Sequence, residues 1–365
     1  MTEIAELATP ALLLDLDKLE SNLRAMAART RELGVALRPH IKSHKCIEIG
    51  RMQQSLGASG ITVSTLEEAR VFADHGFDDI TWAFPVVLSR VDEAMDLAER
   101  VTLRLVVDSL DTLRRLQSTG YPFHVWIKID CGYHRAGVDP TGEVALKLAH
   151  ELSESPTLTF DGILTHSGHS YQARGRNALK QVAEEERRTM VEFSERLNRD
   201  GAIDVSSISV GSTPALSCVE HLHGVTEVRP GNYALYDHNQ TVIGSCSVAD
   251  CAVTVLSSVV SSQPGMGHCV IDAGALALSK DPGPGDAQPR TMGEIFDDYS
   301  SGILQRDFRV TSVSQEHGTV NNPMSVGARV RILPNHSCLA VAQFDEFHVV
   351  RGDSILDRWR IWRRR

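Results

Sequence analysis

With 365 residues the chain is long enough for one large domain or two ordinary ones, and 42% apolar with 23% charged residues marks it as globular rather than disordered. A net charge of −10 excludes a dedicated nucleic-acid binder, whose phosphate contacts need clustered Lys and Arg. No apolar run reaches the roughly 18 residues of a membrane span, and the acidic N-terminus lacks the basic and apolar stretches of a secretory signal. The seven cysteines, an odd number without a CxxC pair, fit neither a disulfide framework nor a four-cysteine zinc site. A cytoplasmic protein with reduced thiols is expected, with no nucleic acid and no membrane as partner. The basic run Arg358–Arg365 reads as a solvated end.

In chain order, Asp17–Glu20 (DKLE) has the form of a capping box, with Leu19, Leu23, Met26 and Leu33 at helical spacing behind it and Gly34 as the stop. A strand is expected over Val35–Ile41. Thr65–Glu68 (TLEE) repeats the capping form, and Gly76 closes that helix. Further strands are expected at Gly60–Ser64, Asp79–Phe84, Thr102–Val107, His124–Asp130, Leu158–Thr165, Ser206–Val210 and Val225–Leu235. Eight strands mostly separated by single amphipathic helices point to a (β/α)8 barrel over residues 16–245. An open doubly wound sheet competes less well, because no GxGxxG follows the first strand.

Past residue 245 the helical period fades. Runs at Cys251–Val260, His268–Asp272, Phe308–Val313, Ala328–Leu333 and Glu346–Arg351 read as strands, with a Gly/Pro-rich surface loop over Lys280–Pro289. A second, antiparallel β domain is therefore expected over 246–365, joined by a strand from within residues 1–15.

Chemistry-bearing residues gather at the expected strand ends. PHIKSHK (39–45) places Lys42 where the first strand gives way to loop; partial desolvation there would lower its pKa and free the amine to attack a carbonyl. Arg135 follows the fifth strand, the HSGHSY segment (166–171) the sixth, and Gly211-Ser-Thr the seventh, with Arg229 and Gly231-Asn around the eighth. Loops of Gly, Ser and Thr expose backbone N–H groups that can cradle a phosphate, and barrels often place one after strands seven and eight. In the β domain, His336 and Cys338 are two residues apart, so on an extended strand both side chains share a face and suit one zinc ion.

Taken together, TPALLLD (9–15), PHIKSHK, CGYHRAGV (131–138), HSGHSY, VGSTPA (210–215), EVRPGNY (227–233), IDAG (271–274), EHG (316–318) and PNHSC (334–338) run through nearly the whole chain. In this order they resemble the fold-type III pyridoxal-phosphate enzymes, which pair an alanine-racemase-like barrel with a β domain. Within them the chain is most similar to the D-serine dehydratase and D-threonine aldolase group. The resemblance implies pyridoxal 5′-phosphate on Lys42, with Arg135 at its phenolic oxygen and His166 against the ring. Tyr171 or Arg229 would face the pyridine nitrogen, and Gly211, Ser212, Thr213, Gly231 and Asn232 would hold the phosphate. His336 and Cys338 would bind a divalent metal beside the cofactor. A homodimer is also implied.

The same resemblance bears on the reaction. Dehydratases of the group carry His-x-Cys where a typical D-threonine aldolase carries His-x-Asp; thiolate ligation favours Zn2+, a carboxylate Mn2+ or Mg2+. The first expectation is thus dehydration of a D-3-hydroxy amino acid. Lys42 would remove the α-proton, the metal would activate the β-hydroxyl, and an α-keto acid and ammonia would leave. The alternative is a D-threonine or D-3-hydroxyaspartate aldolase, with a neighbour of His336 or with His317 as base. A racemase or a non-enzymatic cofactor-binding protein comes third.

Overall fold

The computed structural model describes residues 3–283 and 290–363. By compactness the chain forms two units: one comprises the chain up to Ala25, Ser43–Ile49 and Asn232–Arg363, the other Met26–Lys42 and Gly50–Gly231.

The second of these units is built on eight parallel strands. After β1 (Ala11–Asp15) and α1 (Leu16–Leu33), the strands are β2 (Ala36–Leu37), β3 (Ile61–Val63), β4 (Asp79–Pro85) and β5 (Thr102–Val107). They continue as β6 (His124–Lys128), β7 (Thr159–Leu164), β8 (Ile208–Val210) and β9 (Glu227–Val228). Their order is β2-β9-β8-β7-β6-β5-β4-β3, and a bridge between His40 and Thr62 joins the two ends of the sheet. The (β/α)8 barrel expected from the sequence is thus realised. Helices α2 (Ile47–Ser55), α3 (Leu66–Asp74), α4 (Val91–Ala98), α5 (Leu110–Gln117), α6 (Glu143–Ser153) and α7 (Gly175–Gly201) separate most of the strands. Buried on both faces, the strands read as apolar runs; Val106, Trp126 and Leu164 form one packed cluster among them.

Charges occupy the starts of several of these strands. Arg38 bonds Asp79 and Glu227, each at 2.6 Å, while Arg104 reaches the same Asp79 at 3.0 Å and also Asp161. His124 joins at 2.8 Å from Asp161. Arg38 lies 5% exposed, so its two carboxylate partners are what make its burial tolerable.

The other unit is antiparallel for the most part. Its strands are β10 (Val253–Gln263), β11 (His268–Ile271), β12 (Gly293–Asp298), β13 (Ile303–Val313), β14 (Gly318–Val320) and β15 (Arg329–Pro334), then β16 (Glu346–Arg351) and β17 (Ser354–Arg360). The order β11-β14-β13-β12-β15-β10-β1-β16-β17, with β10 also paired to β11, closes six strands on themselves. β1 lies antiparallel to β10 and parallel to β16.

Several local expectations are corrected. At the start of α1, Asp15 rather than Asp17 supplies the acceptor, taking the Lys18 N–H at 3.0 Å, because β1 runs into the helix without a linker. Thr65 caps α3 as expected, but Glu68 reaches back to the Ser64 N–H at 2.7 Å instead of the cap's own. The run Val225–Leu235 shrinks to two strand residues, since Pro230 has no N–H and Asn232–Ala234 coils into a 3-10 turn. β12 and β17 lack the apolar runs that betray strands and were not expected. Residues 284–289 of the Gly/Pro-rich loop, and 364–365 of the basic run, lie outside the described residues.

Candidate active site

Within the barrel unit, every expected cofactor residue follows the C-terminal end of a strand, the end where barrels build active sites. Lys42 is half-buried in the 3-10 turn Ile41–Ser43 just beyond β2. Two imidazoles accompany it. His40 and His166 are both held well below the usual histidine range, first by burial and then by the positive charge of Lys42. Both rings are therefore neutral at neutral pH. His166 has its Nδ1 3.2 Å from the Gly211 carbonyl, which can only accept, so the proton sits on Nδ1 and Nε2 is left as an acceptor.

The loop after β8 has the build of an anion cradle. Gly211 has φ +122°, which favours glycine, and Ser212 caps α8 (Thr213–Cys218) by accepting the Ala215 N–H. Gly231 is required for a different reason: a Cβ there would lie 2.7 Å from the carbonyl oxygen of His40. Arg229 is buried, and its two terminal nitrogens donate to Ser209 Oγ and the Thr165 carbonyl. Tyr171 is half-buried in the 3-10 turn Gly168–Gln172. Arg135 is exposed after β6, with its guanidinium 5.0 Å from the Tyr133 ring centre.

Asn232 departs from this group. Its Nδ2 points at Asp237 Oδ2 (2.7 Å), Ser337 Oγ (3.0 Å) and Cys338 Sγ (3.8 Å). The side-chain amide thus serves the His-x-Cys segment.

That segment also corrects an expectation. β15 ends at Pro334, and His336 is the N-cap of a short helix (Ser337–Val341) rather than part of an extended strand. The imidazole and thiol still fall within hydrogen-bonding reach of each other. Burial works against the His336 imidazolium, but Cys338 and Asp281 outweigh it and push the ring up to about 11. Asp281 Oδ2 stands 3.0 Å from Nδ1, so Nε2 is the nitrogen from which a metal would displace the proton. Ser337, between the two donors, gives its N–H and hydroxyl to Asp237 at 2.9 and 3.1 Å. One nitrogen and one sulfur donor, each with a fixed partner, fit a zinc-type ion whose other positions stay open. Among the described residues no group of three or more His, Cys, Asp or Glu could hold a metal. His317 is exposed in the turn between β13 and β14.

Sequence reasoning missed two barrel residues. Lys128, the last residue of β6, is buried; desolvation, then the charges of Arg229 and Arg135, lower its amine to about 8. A lysine ending an apolar strand was a readable signal. Glu186 on α7 is buried against the loops after β7 and β8, and nothing in the run EEERR distinguishes it from its solvated neighbours.

The comparisons with known proteins agree with this geometry. Residues 14–239 match the alanine racemase N-terminal domain, and 252–350 match the family described as "Putative serine dehydratase domain". The chain is 35% identical to D-threo-3-hydroxyaspartate dehydratase of Delftia sp. (strain HT23), over 97% of each chain. The solved structure of that dehydratase superimposes with a TM-score of 0.93 at 35% identity, covering 99% of each chain. A cysteine-to-alanine mutant of it has been solved in a metal-free form. D-serine dehydratase of Dictyostelium discoideum is 36% identical, over 96% of this chain and 95% of its own. D-threonine aldolase of Arthrobacter sp. is 29% identical, over 98% and 93%. The chain belongs to the fold-type III pyridoxal-phosphate enzymes of the D-serine dehydratase and D-threonine aldolase group.

Proposed function

We propose that the protein is a pyridoxal-phosphate- and zinc-dependent dehydratase of D-3-hydroxy amino acids, releasing an α-keto acid and ammonia. Its substrates are D-serine or D-threo-3-hydroxyaspartate, the compounds named for the dehydratases it resembles. The observation that carries this reading is the donor pair. His336 and Cys338 lie within reach of each other with Asp281 and Asp237 behind them, in a chain whose barrel carries Lys42 and a Gly-Ser-Thr cradle at its strand ends.

The cofactor, when bound, supplies an electron sink for the α-carbon, and the metal a Lewis acid for the β-hydroxyl. The remaining roles fall to the chain. Lys42 holds the cofactor and takes the α-proton on Nζ. Ser212, Thr213 and Gly231 receive the phosphate through backbone N–H and hydroxyl groups, and Gly211, whose own N–H goes to Glu186, shapes the turn that presents them. The neutral His166 packs against the ring without adding charge, and Arg135 meets the phenolic oxygen. Tyr171 or Arg229 faces the pyridine nitrogen, and the bonds of Arg229 to Ser209 and Thr165 fix the direction of its guanidinium. We assign the cofactor chemistry to residues 16–245 and the metal to 246–365, and infer a homodimer from the family resemblance. No disulfide joins any of the seven cysteines, all of them among the described residues, which supports a reducing, cytoplasmic setting.

The test is a product assay on the zinc-loaded protein with D-serine, D-threo-3-hydroxyaspartate and D-threonine. Keto acid and ammonia in equal amounts are expected. Glycine with an aldehyde would replace the dehydratase reading with the aldolase one.

A further inference from the structure

We infer that Glu186 is a positioning residue of the cofactor site, a buried carboxylate that clamps the loop after β7 to the loop after β8. The inference rests on the cofactor reading above. Glu186 lies on α7 with its side chain 2% exposed. Its Oε1 accepts the backbone N–H of Ser167 at 3.0 Å and that of Gly211 at 3.1 Å.

The strands themselves explain why such a clamp is needed. β7 and β8 pair in parallel up to Leu164 and Ser209, and Thr165 still donates its N–H to the Ser209 carbonyl. Beyond that point the β7–β8 pairing ends, and the N–H groups of Ser167 and Gly211 find no backbone acceptor. Buried donors left without acceptors are costly. A single carboxylate oxygen, with two lone pairs and no proton to give, satisfies both. Acidic side chains are almost never this buried without a partner, and here the bonded partners are the two loops. Burial raises the Glu186 carboxyl above its ordinary range, while the Gly211 and Ser167 bonds and the charge of Arg229 oppose that rise.

Three further contacts tie the same loops: Ser170 Oγ to Ser212 Oγ (2.8 Å), Ser167 Oγ to Ser212 Oγ (3.4 Å), and His166 Nδ1 to the Gly211 carbonyl. His166 and Tyr171 on one loop, and the Gly211–Thr213 cradle on the other, are thereby held in one frame. Glu186 bonds both.

Full-length wild-type, Glu186→Ala, Glu186→Gln and Ser170→Ala chains decide the matter in two arms. Amide hydrogen exchange without cofactor reads the loops directly. In Glu186→Ala, segments 166–172 and 209–213 should exchange faster together, with the rest of the barrel unchanged. Glu186→Gln, which keeps the Oε1 acceptor, should restore protection in both, and Ser170→Ala should loosen them less than Glu186→Ala. In the second arm, titration with pyridoxal phosphate should show affinity falling roughly 10- to 100-fold in Glu186→Ala and recovering in Glu186→Gln. Unchanged exchange in a folded Glu186→Ala, or loosening of one loop alone, overturns the inference. If Glu186→Ala does not fold, lost protection of both loops in a folded Glu186→Gln overturns it, and retained protection supports it. A wild-type chain that binds no pyridoxal phosphate overturns the cofactor reading instead, while the exchange arm, free of cofactor, still decides whether Glu186 clamps the loops.

Discussion

Asp281 Oδ2 stands 3.0 Å from His336 Nδ1, close enough to fix which imidazole nitrogen faces outward. A carboxylate behind a metal-binding histidine orients the ring and raises its basicity, and its loss commonly costs about 10- to 100-fold in metal affinity. Asp281→Asn should therefore weaken zinc binding by about that factor, measured by competition with a chromophoric chelator. Cofactor binding by the barrel should be unaffected, since the barrel residues assigned to pyridoxal phosphate do not include Asp281. Unaltered zinc affinity would show that the pair does not act as a ligand and its orienting group.

Arg38 is the hub of the barrel's buried charges. Its removal strands Glu227 and part of Asp79 without a counter-ion, and breaking a buried pair from one side costs about 3–5 kcal/mol. Arg38→Met should lower the urea midpoint accordingly. Adding Glu227→Gln should recover part of the loss, because the two residues are in direct contact at 2.6 Å and their effects are not additive.

Asp79 carries a pH dependence. Burial by itself would raise its carboxyl, but the hydrogen bonds and charges of Arg104 and Arg38 outweigh it and hold the group below the usual carboxylate range. The unfolded chain then binds the proton more readily. The stabilisation is fully present above the unfolded value, about pH 4, and is lost as pH falls through the folded one. In Asp79→Asn, acid titration of stability should be shallower across that window.

Lys128 works in the opposite sense. Its amine titrates near 8 in the folded chain, against about 10.4 when unfolded. Between those values the unfolded chain binds more protons, so stability rises with pH and is lowest below 8. Lys128→Met should stabilise the protein at neutral pH and flatten the slope between pH 8 and about 10.4 in denaturation at stepped pH.

At Gly231 the expected effect is steric. A Cβ would meet the His40 carbonyl oxygen at 2.7 Å and its Cβ at 3.1 Å, so Gly231→Ala must displace the segment leading to Lys42. A displacement of about 1 Å at a catalytic group can cost roughly 100-fold in rate. Turnover should fall by that order with the far-ultraviolet circular dichroism retained.

How much of this could be read in the chain itself differs from residue to residue. The barrel strands were legible because parallel strands buried on both faces must be continuously apolar, and Thr102–Val107 matches to the residue. β12 and β17 were not: GEIFDD, buried over its first four residues, and SILDRWR, largely exposed, both have a mixed composition that resembles loop. Lys42, His336 and Cys338 stood out because reactive side chains at strand ends have few structural uses. Asn232 looked like part of the phosphate loop by adjacency to Gly231, yet its amide turns to Asp237, a bond that spacing along the chain cannot reveal. By itself the sequence determined the alternation of strand and helix, the placement of reactive groups after strands, and the family. Only the tertiary structure decided that Glu186, Asp281 and Arg38 matter. Each acts on groups far away in the chain, and a carboxylate or guanidinium becomes consequential only when folding removes its water and leaves one partner in reach.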